Sequence, residues 1–184
     1  YDKSQIHYFP YPANFNDLSI YSMFHTDKLP SYLVFGLVDN DAFDGSFSKN
    51  PYNFQHFDLK EFYLLVNGTS VPTQPVKLDI SSMDYHHTYT NEFLDRLKLK
   101  NSNDSIGISA DDWIKGSFFW IADLNVDKCC NFHDHYSKGG TIHLKLQTKT
   151  ALPNTTRLIV YSSSRERMSI DHNTGKVTST ENLS

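Results

Sequence analysis

The sequence predicts an all-β protein, a jelly-roll β-sandwich of about eight antiparallel strands with a short helical insertion. Three observations lead there. Aromatic residues make up 14% of the chain, with 13 Phe and 11 Tyr against 21% charged residues, and flat aromatic side chains suit half-buried pleated surfaces. Short apolar runs recur throughout, punctuated by Gly, Pro, Asn and Asp. Helical periodicity is confined to the middle, and the long connections of a jelly roll absorb such an insert.

Taken in order, residues 1–30 are aromatic and broken by Pro10, Pro12 and Pro30; they read as an extended arm holding one short strand near Leu18–Phe24. Tyr32–Val38 is apolar on both faces, as a strand covered on both sides must be. Residues 39–53 are rich in Asp, Asn, Gly and Ser and form a loop. Phe57–Val66 is a strand, and Asn67-Gly68 supplies the positive-φ pair of a tight hairpin. Pro72 and Pro75 are expected to end the returning strand.

Tyr89, Phe93, Leu94 and Leu97 then recur at helical spacing, with Glu92 and Arg96 four apart on the polar side. This helix is expected to stop at Asn101–Asp104. Ser109 with Asp112 three residues on reads as a capping box that opens a short helix through Trp113, stopped by Gly116. Both excursions are expected outside the sandwich. Ser117–Leu124 is a strand apolar on both faces. Thr141–Gln147 alternates cleanly, Ile142, Leu144 and Leu146 inward and His143, Lys145 and Gln147 outward. A turn at Pro153-Asn154 leads to strands at Arg157–Ser162 and Met168–Asp171. The expected division is an arm with a first strand over 1–30, the jelly roll over 31–177, and a flexible tail over 178–184.

Length and charge bound the function. At 184 residues the chain is one domain long enough to bury a two-layer core. A net charge of -4 argues against direct nucleic-acid binding, which needs clustered Lys and Arg. No apolar run is long enough for a membrane span. The chain opens on Tyr1 without an initiator Met or a signal-like apolar stretch, and is expected to be a processed product or a piece of something longer. The two cysteines are adjacent, Cys129-Cys130, so no disulfide framework is expected and a reducing compartment is the simpler reading. Sequons at Asn67, Asn103, Asn154 and Asn182 arise readily by chance in a chain this rich in Asn, Ser and Thr.

The stretch from Leu33 to Pro72 carries a resemblance. Phe35–Val38 with Asn40, Ala42 and Phe43, then Gly45-Ser46, then Asn50-Pro51 through Phe57, then Val66-Asn67-Gly68 with Val71-Pro72, resemble the double jelly-roll major capsid proteins of Polinton (Maverick) elements and related adintoviruses. The likeness continues through Ser109–Leu124, His133–Leu146, Ala151-Leu152-Pro153, Ile159-Val160-Tyr161 and Ile170-Asp171, and so covers the chain from about residue 15 onward. The family carries two jelly rolls, whereas 184 residues hold one, matching the C-terminal portion. The resemblance implies a structural shell protein: trimers of pseudo-hexagonal outline in an icosahedral capsid, a partner jelly-roll domain, contact with other capsid proteins such as a penton, and assembly into a virion inside the host cell. A host-domesticated copy remains open.

Candidate chemistry is sparse. Cys129, Cys130, His133 and His135 are thiolate and imidazole groups of the kind zinc takes, although adjacent cysteines rarely offer both sulfurs to one ion, and this loop departs from the family pattern. His86-His87 lacks a nucleophile within any strand-turn-helix element. Asp39/Asp41 and Asp111/Asp112 suit turns and helix N-termini better than paired catalytic carboxylates. No enzyme activity and no cofactor are expected. Phe43, Phe47, Tyr52 and Phe54 lie in a polar loop, where exposed aromatics point to an inter-domain or inter-subunit contact. The rival readings are a carbohydrate- or ligand-binding jelly roll, whose aromatics would stack on sugar, and a cupin-like metalloenzyme.

Overall fold

The computed structural model describes residues 2–26, 29–80, 85–97, 106–124 and 139–182. Among these residues the chain forms strands β1 (Asp2–Tyr11), β2 (Asp17–Thr26), β3 (Tyr32–Asp39), β4 (Leu59–Val66), β5 (Thr69–Lys77), β6 (Phe119–Asp123), β7 (Gly140–Thr148), β8 (Thr156–Ile170) and β9 (Val177–Asn182). Every pairing is antiparallel: β1 with β8, β2 with β7, β3 with β6, β4 with β5. These four pairs are one long two-stranded ribbon. Rolling it up brings β3 beside β8 and β4 beside β7, which closes two sheets of order β1-β8-β3-β6 and β2-β7-β4-β5. That wiring is a jelly roll.

Between the sheets lies one core. Strand β7 presents Ile142, Leu144 and Leu146 inward, meeting Leu33, Phe35 and Leu37 of β3 and Leu158 and Val160 of β8. Trp120 of β6 links the layers: its ring lies 4.7 Å from Phe35 on its own sheet and 4.0 Å from Phe62 on the other. Each fully buried side chain of this size stabilises the fold by about 1.5–3 kcal/mol.

Several local expectations hold. Asn67 and Gly68 have φ of 51° and 81°, the mirror-image turn that matches strand twist. The Asn67 side chain does more, accepting from the Thr141 N–H (2.9 Å) and donating to the Gly139 carbonyl (3.3 Å), so the hairpin fastens the start of β7. Gly140 fits there because a Cβ would collide with the Asn67 amide. Helix α3, after α1 (Asn40–Phe43) and α2 (Tyr85–Thr88), runs Ala110–Gly116 behind a complete Ser109/Asp112 capping box.

Other expectations need correction. Residues 2–11, read as part of an arm, are strand β1, in register with β8 from Asp2↔Arg165 to Tyr11↔Thr156. Pro10 is tolerated because β1 lies at a sheet edge, where one side of the backbone needs no partner. Pro72 and Pro75 do not end β5. They sit in a bulge between the pairs Leu64↔Val71 and Phe62↔Val76, again on an edge strand. The two strands expected over residues 157–171 are the single strand β8, whose far half pairs with β9 over residues expected to be loose. Strand β4 starts at Leu59 rather than Phe57, because Phe57 and Asp58 take φ of 45° and 53°. The middle helix begins at Tyr85 and turns from α to a π-helical stretch at Tyr89–Leu94, with Arg96 paired to Glu92 at 3.3 Å. Though outside the sheets, these helices plug the core. Tyr85, Phe93 and Trp113 are buried, and Trp113 packs on Phe118 at 4.6 Å and donates to the Phe119 carbonyl at 3.0 Å.

Candidate functional site

The outward faces of the two sheets differ in kind. Alternation along the first sheet sends Leu33, Phe35, Leu158, Val160, Trp120 and Ala122 inward. The register then aligns two outward rows across four strands. One is Tyr8, Ile159, Gly36, Phe119; the next is Ile6, Tyr161, Val34, Ile121. Neither row holds a charged side chain. On the second sheet the outward positions are mostly polar, Asp17, Ser19, Glu61, Tyr63, His143, Lys145 and Gln147, with Leu65 opposite His143 and the exposed Tyr21 ring 5.7 Å from it. There Lys145 lies over the Tyr63 ring at 5.9 Å, and His143 accepts from the Ser22 N–H at 3.2 Å.

Part of the apolar face is roofed by the connection from β3 to β4. Asp39 caps α1 by accepting from the Asp41 N–H at 2.9 Å, and Lys49 bridges Asp39 and Asp41 at 3.0 Å each. Burial pushes the Asp39 carboxyl up, but Lys49 and the Asp41 N–H outweigh it and hold the group below the usual carboxylate range. Arg157 rises from β8, donates to the Asn40 side chain at 2.7 Å and lies 5.5 Å from the Phe43 ring centre. Phe43 in turn meets Tyr8 at 5.4 Å. The connection comes back across the sheet at Phe54, whose N–H donates to the Gly116 carbonyl (2.9 Å) and whose carbonyl accepts from the Phe118 N–H (3.0 Å). Its ring lies on Phe119 at 4.5 Å and over Gly36, where a Cβ would stand 2.6 Å from the ring. Gly36 is the seat that lets an aromatic ring approach the sheet this closely.

The roof is partial. Ile6 and Tyr8 keep 65% and 60% of their surface exposed, Tyr52 keeps 78%, and Phe47 stands wholly in solvent on a loop braced by the Asp39–Lys49–Asp41 bridges. Of the four aromatics singled out in the sequence, Phe43 and Phe54 are thus engaged within the chain, while Phe47 and Tyr52 face outward. Sequence reading missed Ile6, Tyr8 and Gly36; the Ile6/Tyr8 alternation opposite His7/Phe9 was the available signal, hidden by the prolines that follow.

The remaining candidates have local roles. His86 stacks on Tyr85 at 4.5 Å and His87 bonds Asn91 at 2.7 Å. Asp111 accepts from the Tyr85 hydroxyl at 2.9 Å, and Asp112 closes the capping box. Cys129, Cys130, His133 and His135 lie outside the described residues. Among the described residues no three His, Cys, Asp or Glu side chains gather as a metal site, and no helix is long and apolar enough to cross a membrane.

The fold and this face together define a jelly-roll β-sandwich in which one sheet carries two apolar rows on its outer side. No protein family matches the chain. A Caenorhabditis elegans protein described as "Uncharacterized protein F54H12.2" is 31% identical over 64 residues, which are 35% of this chain and 15% of that protein. The match therefore spans a small part of the relative's length.

Proposed function

We propose that this chain is one jelly roll of a major capsid protein of the double jelly-roll type that Polinton elements and adintoviruses carry, and that it acts through interfaces rather than catalysis. The observation that carries the reading is the apolar outward face of the first sheet. A lone sandwich in water has no reason to place Ile6, Tyr8, Phe47 and Tyr52 in solvent on and beside a sheet face whose two central rows carry no charge. Its three exposed aromatics offer roughly 500 Å² of surface. That is a large share of the roughly 800 Å² each partner contributes to a standard protein interface.

A second sandwich is the fitting occupant: sheet faces pack on one another at about 10 Å with interdigitating side chains, and closed symmetric assembly needs no reactive group. Since 64 residues make up 15% of the nematode protein, its length exceeds twice the 184 residues of this chain, which leaves room for two such units. On this reading the whole protein forms trimers of pseudo-hexagonal outline, meets penton-type proteins at the vertices and resides in a virion assembled in the host cell.

The test is to express the complete reading frame and examine it by light scattering and negative-stain electron microscopy. Trimers with a six-sided outline are expected, weakened by Phe47→Ser with Tyr52→Ser. A monomer that instead binds sugars saturably through those two rings would overturn the reading in favour of a carbohydrate-binding module.

A further inference from the structure

Beyond the Phe54 backbone bonds, the roof over the apolar face leaves through a turn in which an imidazole takes part. Residues Phe57 and Asp58 both lie at positive φ, which side chains other than Gly adopt reluctantly. Together with the Lys149 N–H, which donates to the Asp58 carbonyl at 2.9 Å, two bonds from His56 hold this turn. Its Nδ1 accepts from the Asp58 N–H at 2.9 Å, and its carbonyl accepts from the Leu59 N–H at 2.9 Å where β4 begins. The ring sits edge-on to Phe118 at 6.2 Å and is partly buried. Two residues back is Phe54, whose ring covers Gly36.

We infer that His56 is an acid-sensitive latch: a proton taken up at Nδ1 converts the acceptor into a donor facing the Asp58 N–H, so the strained turn relaxes and the Phe54 roof lifts from the first sheet. The bond can form only while Nδ1 carries a lone pair. The charged groups near the ring are Asp58 on its own turn and, beyond Asp58, the ion pair Lys149–Asp79 at 2.6 Å; Phe118, just before β6, carries no charge. Burial lowers the His56 pKa below its ordinary 6.5, and Asp58 only partly offsets this. The latch is therefore fully closed above about pH 6.5 and opens as pH falls through the lower folded-state value. This inference stands whether or not the chain builds a shell.

Amide hydrogen exchange of the chain from pH 7.5 to 5, corrected for intrinsic rates, tests it, with His56→Gln as a non-titrating acceptor. Protection of the Asp58 and Phe54 amides is expected to fall at least about tenfold on acidification in the native sequence and to stay flat in H56Q. The Leu144 amide in β7 reports global unfolding and is expected to keep its protection. Equal loss at Leu144, unchanged protection at Asp58, or the same pH response in H56Q would each overturn the latch.

Discussion

The outer faces of the two sheets pose opposite problems to the same solvent. The β2-β7-β4-β5 face answers water with Asp17, Glu61, His143, Lys145 and Gln147, and strand β7 there alternates apolar-in and polar-out. The β1-β8-β3-β6 face sets Ile6, Tyr8, Val34, Ile121, Ile159 and Phe119 outward and must hide them. It hides some beneath its own β3–β4 connection and leaves Ile6 and Tyr8 open. A jelly roll needs only one buried interface to be stable. A second apolar face is surplus to folding, and its expense in exposed surface makes sense where another surface covers it.

The sharpest way to break this contrast is to place a charge on each face. Ile121 faces outward yet is only 2% exposed, so Ile121→Lys is expected to destabilise by about 3 kcal/mol or more, as an unpaired buried charge does. Gln147→Lys, on the polar face, is expected to change stability by less than about 0.5 kcal/mol. Urea denaturation of both variants compares them; equal effects would erase the distinction. Next comes the roof. Phe54→Ala removes a ring that is only partly buried, and a loss of about 2 kcal/mol is expected, below the 3–5 of a fully buried Phe. Gly36→Ala pushes a methyl against that ring and is expected to cost about 1–2 kcal/mol, with little further loss when combined with Phe54→Ala. A double-mutant cycle reads that coupling directly. The smallest effect on stability falls on the open part of the face: Ile6→Ser with Tyr8→Ser is expected to stay within about 0.5 kcal/mol of the native chain.

How much of this the residues announce depends on how local the cause is. Strand β7, the Asn67-Gly68 turn and the Ser109/Asp112 box are legible because period, positive φ and capping are properties of a few neighbours. Strand β1 is not, because Pro10 and Pro12 suggest an arm until the sheet order shows that β1 is an edge. The unity of β8 is hidden by the polar run Ser162–Arg167, which pairing with β1 and β3 and then with β9 keeps extended. The role of Gly36 is a contact with Phe54, eighteen positions away in sequence, and no pattern around either residue states it. The candidate site was accordingly half visible: the aromatics of 43–54 stand out by composition, but the sheet face they frame depends on strand order.

The central claim is that the open apolar face is an interface, and sedimentation velocity of the chain across a wide concentration range at pH 7.5 tests it most directly. The account predicts reversible association in the native chain that Ile6→Ser with Tyr8→Ser abolishes while Lys145→Ser, on the polar face, leaves it intact. A chain that stays monomeric at every concentration, or one whose association survives loss of Ile6 and Tyr8 and disappears with Lys145, would contradict it.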